Sequence, residues 1–179
     1  MAEPDLAKIE LLVLDVDGVL TDGRIILTPG GEEIKVFHVR DGSAMKYWKR
    51  VGKKLAMISG RGSPAVSRRA EELQVDAVRL NAKVKLEAYE EVLEELGVPQ
   101  ERTAVVGDDL TDLPMLLRCG FSAAVADAAA EVKCRVDYVT RAAGGAGAVR
   151  EVVEMILKNA GLWDQIMARY IPDKRSDMA

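Results

Sequence analysis

Two groups of aspartates each follow a short apolar run of the sequence. The first run spans residues 9–14 (IELLVL) and the second spans residues 103–106 (TAVV). The aspartates are Asp15 and Asp17 after the first run, and Asp108, Asp109 and Asp112 after the second. Converging carboxylates repel each other unless a cation lies among them, and oxygen ligands without nitrogen or sulfur suit Mg²⁺. The pattern therefore predicts a magnesium site.

Two further polar positions complete a set that is suited to phosphate chemistry. Ser59 and Gly60 follow another apolar run, and their hydroxyl and backbone N–H groups can hold phosphate oxygens. Lys85 begins a predicted helix and can neutralise the phosphate charge. One carboxylate can then attack phosphorus to form an acyl phosphate, while a second protonates the leaving oxygen and later activates water.

These residues meet only if the apolar runs are strands that end at one edge of a sheet. Strands are predicted at 9–14, 54–58, 77–80, 103–106, 122–125 and 137–140, and helices at 43–51, 64–73, 84–96, 113–119 and 148–159. This alternation is typical of the α/β class with a doubly wound parallel sheet, in which ligands bind outside the carboxyl ends of the strands.

The remaining segments predict one domain over residues 1–179. A β-hairpin is expected at about 24–39, because the apolar stretches 24–27 and 33–39 flank a turn that contains Pro29 and two glycines. Only about 25 residues lie between Asp17 and Asp41, too few for a separate folded domain. The tail at 169–179 has no clear pattern and is expected to be mobile or docked on a neighbouring subunit.

Composition narrows the classes of function. The chain has 179 residues, a formal net charge of −4 and only one histidine. A general nucleic-acid binder is normally basic, so no nucleic-acid partner is expected. No apolar run approaches a membrane span, and the N-terminus lacks the apolar core of a signal peptide. The two cysteines are far apart and match no metal-binding spacing, which is typical of free thiols in a reducing compartment. Together these features predict a cytoplasmic protein without a membrane partner.

The motifs resemble those of the haloacid dehalogenase (HAD) superfamily. Asp15-Val-Asp17-Gly-Val matches its first motif, DxDGx[TV], Ser59 its second, Lys85 its third, and Gly107-Asp108-Asp109-Leu-Thr-Asp112 its fourth. A single DxDG would be weak evidence, but here all four motifs occur in order, each after a suitable apolar strand. The resemblance implies a Mg²⁺-dependent phosphatase.

Longer stretches resemble the 3-deoxy-D-manno-octulosonate 8-phosphate (KDO 8-phosphate) phosphatase family over roughly residues 9–158. They are DVDGVLTDG, GEEIKVFHVRDG, SGR, GDDLTD, VDYVT and GGAGAVRE. The resemblance implies a capless enzyme whose hairpin joins those of other subunits in a homotetramer. It also implies a phosphorylated sugar acid as substrate.

Roles follow from the resemblance position by position. Asp15 would be the nucleophile and a Mg²⁺ ligand, and Asp17 the general acid and base with its backbone carbonyl on the metal. Asp108 would complete the metal site, with Asp109 and Asp112 supporting it. Ser59 and Gly60 would bind phosphate and Lys85 would neutralise it. The expected substrate contacts are Asp17, His38, Val39, Arg40, Asp41, Gly42, Lys46, Gly60, Arg61, Arg69 and Lys85.

Three positions depart from the pattern of that family. His38 stands where Asn is usual, and Lys46 and Ala146 stand where Arg is usual. Arg grips a carboxylate with two hydrogen bonds, whereas Lys is a point charge and Ala provides neither. All three positions lie outside the catalytic motifs, so they concern the choice of substrate.

Several alternatives stay open at this point. Within the enzyme class, the substrate could be a nonulosonate 9-phosphate or a broader set of sugar phosphates. In another class, the chain could be a non-catalytic tetramerisation module, although degeneration normally removes motif carboxylates. A phosphorelay receiver domain also uses Asp, Mg²⁺ and Lys, but its acidic pair precedes the phosphorylated Asp on separate strands. An isolated Asx turn would explain Asp15 and Asp17 alone but not the other motifs.

Overall fold

Six parallel strands form a central sheet in the computed structural model, which describes residues 4–171. The strands of the chain are β1 (Leu11–Leu14), β2 (Ile26–Leu27), β3 (Glu33–Ile34), β4 (Lys54–Ile58), β5 (Ala77–Arg79), β6 (Thr103–Gly107), β7 (Phe121–Ala124) and β8 (Tyr138–Val139). The order in the sheet is β5-β4-β1-β6-β7-β8, so β1 is central. Strands β2 and β3 form a separate hairpin.

Helices cover the sheet and connect its strands. They are α1 (Val39–Arg50), α2 (Pro64–Leu73), α3 (Lys85–Leu96), α4 (Leu113–Leu116), α5 (Ala130–Lys133), α6 (Ala148–Asn159) and α7 (Trp163–Met167). Short 3₁₀ turns lie at Leu6–Lys8, Gln100–Arg102 and Leu110–Asp112. The predicted α/β fold with a parallel sheet is confirmed.

The three middle strands are buried along their whole length or nearly so. All residues of β1 and β6 are buried, as expected for parallel strands that are covered on both faces. The register aligns Leu14 with Met57 on β4 and with Val106 on β6. The segments that follow these strands therefore emerge side by side at one edge of the sheet.

Helix α6 shows how the sequence pattern produces the packing. Its inward face carries Val149, Val152, Val153, Ile156 and Leu157, all fully buried. Burying an aliphatic side chain of this size contributes roughly 1.5–3 kcal/mol. The periodicity of these residues predicts a helix over 148–159, and the structure has the same bounds.

The hairpin is shorter than the sequence predicts. Only Ile26 and Leu27 pair with Ile34 and Glu33, whereas apolar residues suggested strands over 24–27 and 33–39. In the described part of the chain no third strand extends this ladder, and most of the apolar side chains of the hairpin are exposed. A pair of strands alone is only marginally stable, which explains the short ladder.

Other element bounds differ modestly from the predictions. Helix α1 begins at Val39 rather than at residue 43, and α4 ends at Leu116 rather than at 119. The short helices α5 and α7 were not predicted, because four or five residues carry too little periodicity. Within the expected tail, residues 172–179 lie outside the described part of the chain. Among residues 4–171, no helix is both long enough and apolar enough to cross a membrane.

Candidate active site

A buried lysine lies between two buried aspartates at the carboxyl end of β1. Nζ of Lys85 donates hydrogen bonds to Oδ1 of Asp15 at 2.5 Å and to Oδ1 of Asp112 at 2.6 Å. Burial acts to lower the pKa of Lys85, but the two carboxylates outweigh it and raise that pKa above its ordinary value. Lys85 is therefore held as a cation beside Asp15.

Asp15 and Asp108 lie in surroundings that disfavour the charged forms of their carboxyl groups. Burial, together with repulsion from Asp112, raises the pKa of Asp15 to about 7 although Lys85 opposes the shift. Burial and the nearby charges of Asp15 and Asp112 raise the pKa of Asp108 to about 8. Lys85 alone does not neutralise three carboxylates, so this arrangement favours an additional cation.

The donor set fits a hard divalent cation. Asp15, Asp108 and Asp112 place carboxylate oxygens within 4.8 Å of one another. All three donors are oxygens, which suits Mg²⁺. The residues present thus fit the predicted metal site, for which the sequence pointed to Asp15, Asp108 and the backbone carbonyl of Asp17. Asp112, expected to support that site, lies beside the two carboxylates.

Asp112 is fully buried and engaged on both of its oxygens. Besides the contact of Oδ1 with Lys85, Oδ2 accepts the N–H groups of Asp108 at 3.0 Å and Asp109 at 3.2 Å. Asp112 therefore fixes the loop that carries Asp108 and also orients Lys85. Asp109 is exposed and contributes its backbone N–H to this arrangement.

Gly18 allows the loop after β1 to approach Asp108 closely. Its φ is +105°, a conformation that side chains disfavour, and a Cβ built on it would lie 2.1 Å from Oδ2 of Asp108. Any side chain at this position would displace the Asp108 carboxylate. The glycine of the DxDG motif is thus required by the geometry of the site.

The side chain of Asp17 points away from the carboxylate group and towards the hairpin. Its Oδ2 accepts a hydrogen bond from Oγ of Ser59 at 3.2 Å, and Oδ1 pairs with Nζ of Lys35. Oγ of Ser59 also accepts the N–H of Arg61 at 3.1 Å. Lys35 was not identified from the sequence, because a lysine in a hairpin strand normally faces solvent.

A cleft of about 370 Å³ adjoins Lys85 and opens beside Gly60. Its other lining residues are Ala82, Lys83, Val84, Leu86, Thr111 and Pro114. Lys83 is exposed, whereas Lys85 is 8% exposed and contacts Asp15. This placement favours Lys85 over Lys83 as the lysine of the site, as the sequence spacing suggests.

The segment 38–42 forms the start of α1 and contacts α6. Asp41 is 1% exposed, and its carboxylate accepts the N–H groups of Gly147 at 3.1 Å and Arg150 at 2.7 Å. Burial raises the pKa of Asp41 in spite of these hydrogen bonds. Nδ1 of His38 is buried, has no hydrogen-bond partner among residues 4–171, and lies 3.7 Å from Oδ2 of Asp41.

The other expected substrate contacts differ in exposure. Val39 and Arg40 are exposed. Lys46 and Arg69 both pair with Glu72, at 3.5 Å and 2.7 Å. The Arg69 side chain also packs over Gly42, where a Cβ would lie 2.1 Å from it. Arg61 lies in the loop after β4, and its N–H donates a hydrogen bond to Oγ of Ser59.

Comparisons with known proteins agree with this geometry. Residues 31–120 match the model of the haloacid dehalogenase-like hydrolase family. The KDO 8-phosphate phosphatase KdsC of Escherichia coli K12 is 43% identical over 164 residues, covering 92% of this chain and 87% of that protein.

Solved structures give the same result. The KDO 8-phosphate phosphatase of Moraxella catarrhalis, in complex with magnesium, phosphate and KDO, superposes with a TM-score of 0.91 at 38% identity, covering 93% of this chain and 96% of that one. The cobalt-bound enzyme of Haemophilus influenzae gives 0.85 at 43% identity, covering 88% and 92%. The chain belongs to the KDO 8-phosphate phosphatase family of haloacid dehalogenase-like hydrolases.

Proposed function

We propose that this protein is a Mg²⁺-dependent phosphomonoesterase that hydrolyses KDO 8-phosphate to KDO and phosphate. The observation that carries the proposal is the group formed by Asp15, Lys85, Asp108 and Asp112, where a nucleophile, a fixed cation and an all-oxygen metal site meet. The relatives that resemble the chain over nearly its whole length are phosphatases for this sugar acid phosphate.

In the first step, the carboxylate of Asp15 attacks phosphorus and the bond to the leaving oxygen breaks. Lys85 lies against Asp15 and offsets negative charge as the aspartyl phosphate forms. Ser59 and Gly60 offer a hydroxyl and an N–H to the phosphate oxygens. Asp17 gives a proton to the leaving oxygen, which departs as the sugar alcohol.

In the second step, Asp17 takes a proton from a water molecule that attacks the acyl phosphate. The bond between phosphorus and Asp15 breaks, which returns the carboxylate and releases inorganic phosphate. The same side chain thus serves as acid and then as base. Its place beside Ser59 keeps it near the phosphate in both steps.

Asp15 and Asp108 are the side chains proposed to hold Mg²⁺, together with the backbone carbonyl of Asp17. Asp112 supports them, because Lys85 and two N–H groups already engage its oxygens. When bound, Mg²⁺ would offset the charge that a phosphate dianion brings to these carboxylates.

Substrate contacts remain a separate part of the proposal. Arg61, in the loop after β4, and Arg40, in the first turn of α1, are exposed cations that are suited to a sugar acid carboxylate. The carboxylate of Asp41 is occupied by hydrogen bonds from α6. Any role of Asp41 in substrate recognition would therefore be to position the other residues of segment 38–42, or to contribute to the site of a neighbouring subunit. His38, Val39, Gly42, Lys46 and Arg69 remain predicted contacts. A nonulosonate 9-phosphate, or a broader set of sugar phosphates, is the alternative substrate.

We further propose a homotetramer built on the hairpin, and a cytoplasmic location. Six apolar residues of the hairpin and of the segment that follows it are 42–75% exposed, namely Ile25, Ile26, Leu27, Ile34, Val36 and Val39. An apolar surface of this kind is typical of a contact between proteins. The surface supports the tetramer inferred from the sequence resemblance.

Phosphate release from a panel of phosphorylated metabolites tests the function. The panel contains KDO 8-phosphate, nonulosonate 9-phosphates and simple hexose phosphates, each with and without Mg²⁺, beside the Asp15→Asn variant. We expect a clear preference for KDO 8-phosphate that EDTA removes and Mg²⁺ restores. A preference for another substrate would be consistent with the phosphatase mechanism but would contradict KDO 8-phosphate as the substrate. Absence of release from every substrate would contradict the phosphatase.

A further inference from the structure

A buried lysine of the hairpin reaches the carboxylate that we propose as general acid and base. Nζ of Lys35 pairs with Oδ1 of Asp17 and lies 3.1 Å from Oε1 of Glu33. The Lys35 side chain is 1% exposed. Burying an ammonium group is energetically costly unless carboxylates pair with it, so the pairs with Asp17 and Glu33 hold the Lys35 side chain in this position.

The contact is one part of a chain of alternating charges. Glu33 pairs with the guanidinium of Arg61 at 3.2 Å, so Arg61, Glu33, Lys35 and Asp17 alternate in sign and sum to zero. This chain joins the hairpin to the loops after β1 and β4. It therefore couples the position of Asp17 to that of the hairpin.

The two oxygens of Asp17 have different partners. Oδ2 accepts from the hydroxyl of Ser59, whose hydrogen can turn instead to the phosphate oxygen that we propose Ser59 binds. Oδ1 is paired with Lys35, an ammonium held in place by Glu33. Binding of a phosphate can therefore release Oδ2 while Oδ1 stays anchored.

We propose that Lys35 is a positioning residue that anchors Oδ1 of Asp17 so that Oδ2 exchanges the proton. The proposal rests on the proposed function. As the bond from Asp15 to phosphorus forms and the bond to the leaving oxygen breaks, the proton on Oδ2 passes to that oxygen. In the second step, Oδ2 takes the proton of the attacking water, and Asp15 departs from phosphorus.

A purely structural role for Lys35 would have a different consequence. If Lys35 only held the hairpin in place, its loss would affect all substrates alike, through binding or stability. If Lys35 positions the proton donor, its loss matters most where the leaving oxygen needs a proton. A sugar alkoxide needs one, whereas 4-nitrophenolate leaves without it.

The test is the rate of the first chemical step in single turnovers of the Lys35→Met variant. KDO 8-phosphate and 4-nitrophenyl phosphate are compared, both with Mg²⁺. For the sugar phosphate we expect a loss on the order of 10- to 100-fold, and for the aryl phosphate less than about threefold. Lys35→Arg, which retains the charge, should restore much of the rate. Lys158→Met, which removes a 52% exposed lysine from a surface ion pair, is the matched control.

Equal losses for the two substrates, or no loss for either, would overturn the positioning role. Thermal melting of each variant shows whether it is folded, and Lys35→Gln replaces Lys35→Met if the latter does not fold. Failure of the proposed function is visible separately, because wild-type protein would then release no phosphate from KDO 8-phosphate. Should the wild type prefer another alkyl phosphate, the same comparison is made with that substrate.

Discussion

Asp15 and Asp108 link the stability of the metal-free protein to pH. Their folded-state pKa values, about 7 and about 8, are raised mainly by burial above the ordinary value near 4. Between about pH 4 and about pH 8, the folded protein therefore retains protons on these carboxyl groups that the unfolded chain has released. Their contribution to stability is therefore complete below about pH 4 and is lost as pH rises to about 8.

We therefore expect the melting temperature of the metal-free protein to fall over this range, and to fall less steeply in Asp108→Asn. Mg²⁺ requires ionised carboxylates, so it should raise the melting temperature more at pH 8 than at pH 6. Differential scanning fluorimetry with EDTA or with Mg²⁺ measures both effects. An identical pH slope for wild type and variant would contradict this account.

Gly18 is expected to tolerate no side chain, because of its conformation and because of the Asp108 carboxylate beside it. Gly18→Ala should lower the free energy of unfolding by at least about 2 kcal/mol and abolish stabilisation by Mg²⁺. Gly52 is a matched control, since its φ is +80° and no atom of the described residues lies within 4 Å of its Cβ position. Gly52→Ala should cost only about 1 kcal/mol and leave the Mg²⁺ effect intact. Urea unfolding with and without Mg²⁺ measures the free energy of unfolding of both variants, and equal losses in the two would contradict the role of Gly18.

At the scale of elements, Asp41 joins α1 to the first turn of α6. Asp41→Ala leaves two N–H groups of α6 without their acceptor, so we expect a loss of about 1–3 kcal/mol in the free energy of unfolding. If Asp41 instead contacts substrate, KM should rise while stability is kept. Urea unfolding beside steady-state kinetics separates the two roles, and Asp5→Ala, at an exposed surface ion pair, is the control.

The elements that carry the site could be predicted because each signal was local. Buried strands such as β1 and β6 are continuous apolar runs, and the polar residues after them are motifs that need no long-range knowledge. Parallel strands end at one edge, so Asp15, Ser59 and Asp108 had to meet. Lys85 could be preferred over Lys83 by spacing alone, and its burial agrees.

Tertiary contacts decided what the sequence could not show. Val39 and Gly42 disfavour a helix, yet α1 begins at Val39, where the Asp41 carboxylate contacts α6. Lys35 looked like a solvent-facing hairpin residue, and only the folded chain shows its contact with Asp17. Asp112 was expected to support the metal site, and the folded chain adds its hydrogen bonds with Lys85 and with the N–H groups of Asp108 and Asp109.

At the scale of the whole molecule, the hairpin is expected to govern assembly. Leu27→Lys combined with Val36→Lys places charge on an apolar surface, so we expect the proposed tetramer to dissociate. Light scattering after size-exclusion chromatography measures the mass. Leu117 is a matched control, because it is 62% exposed where Leu27 is 63% exposed, but it lies after α4. A tetramer that survives the double change, or that dissociates in Leu117→Lys, would contradict assembly through the hairpin.

The central claim is that the phosphoryl group is transferred to the carboxylate of Asp15 before water releases it. The most direct measurement is acid quenching during turnover of KDO 8-phosphate with Mg²⁺, followed by mass spectrometry of the peptide that contains Asp15. We predict one added phosphoryl group on Asp15, which hydroxylamine removes. Asp15→Asn should give no such adduct, and its rate of phosphate release should be lower by about 10⁴-fold or more. Phosphate on another residue, or turnover retained by pure Asp15→Asn protein, would contradict the account.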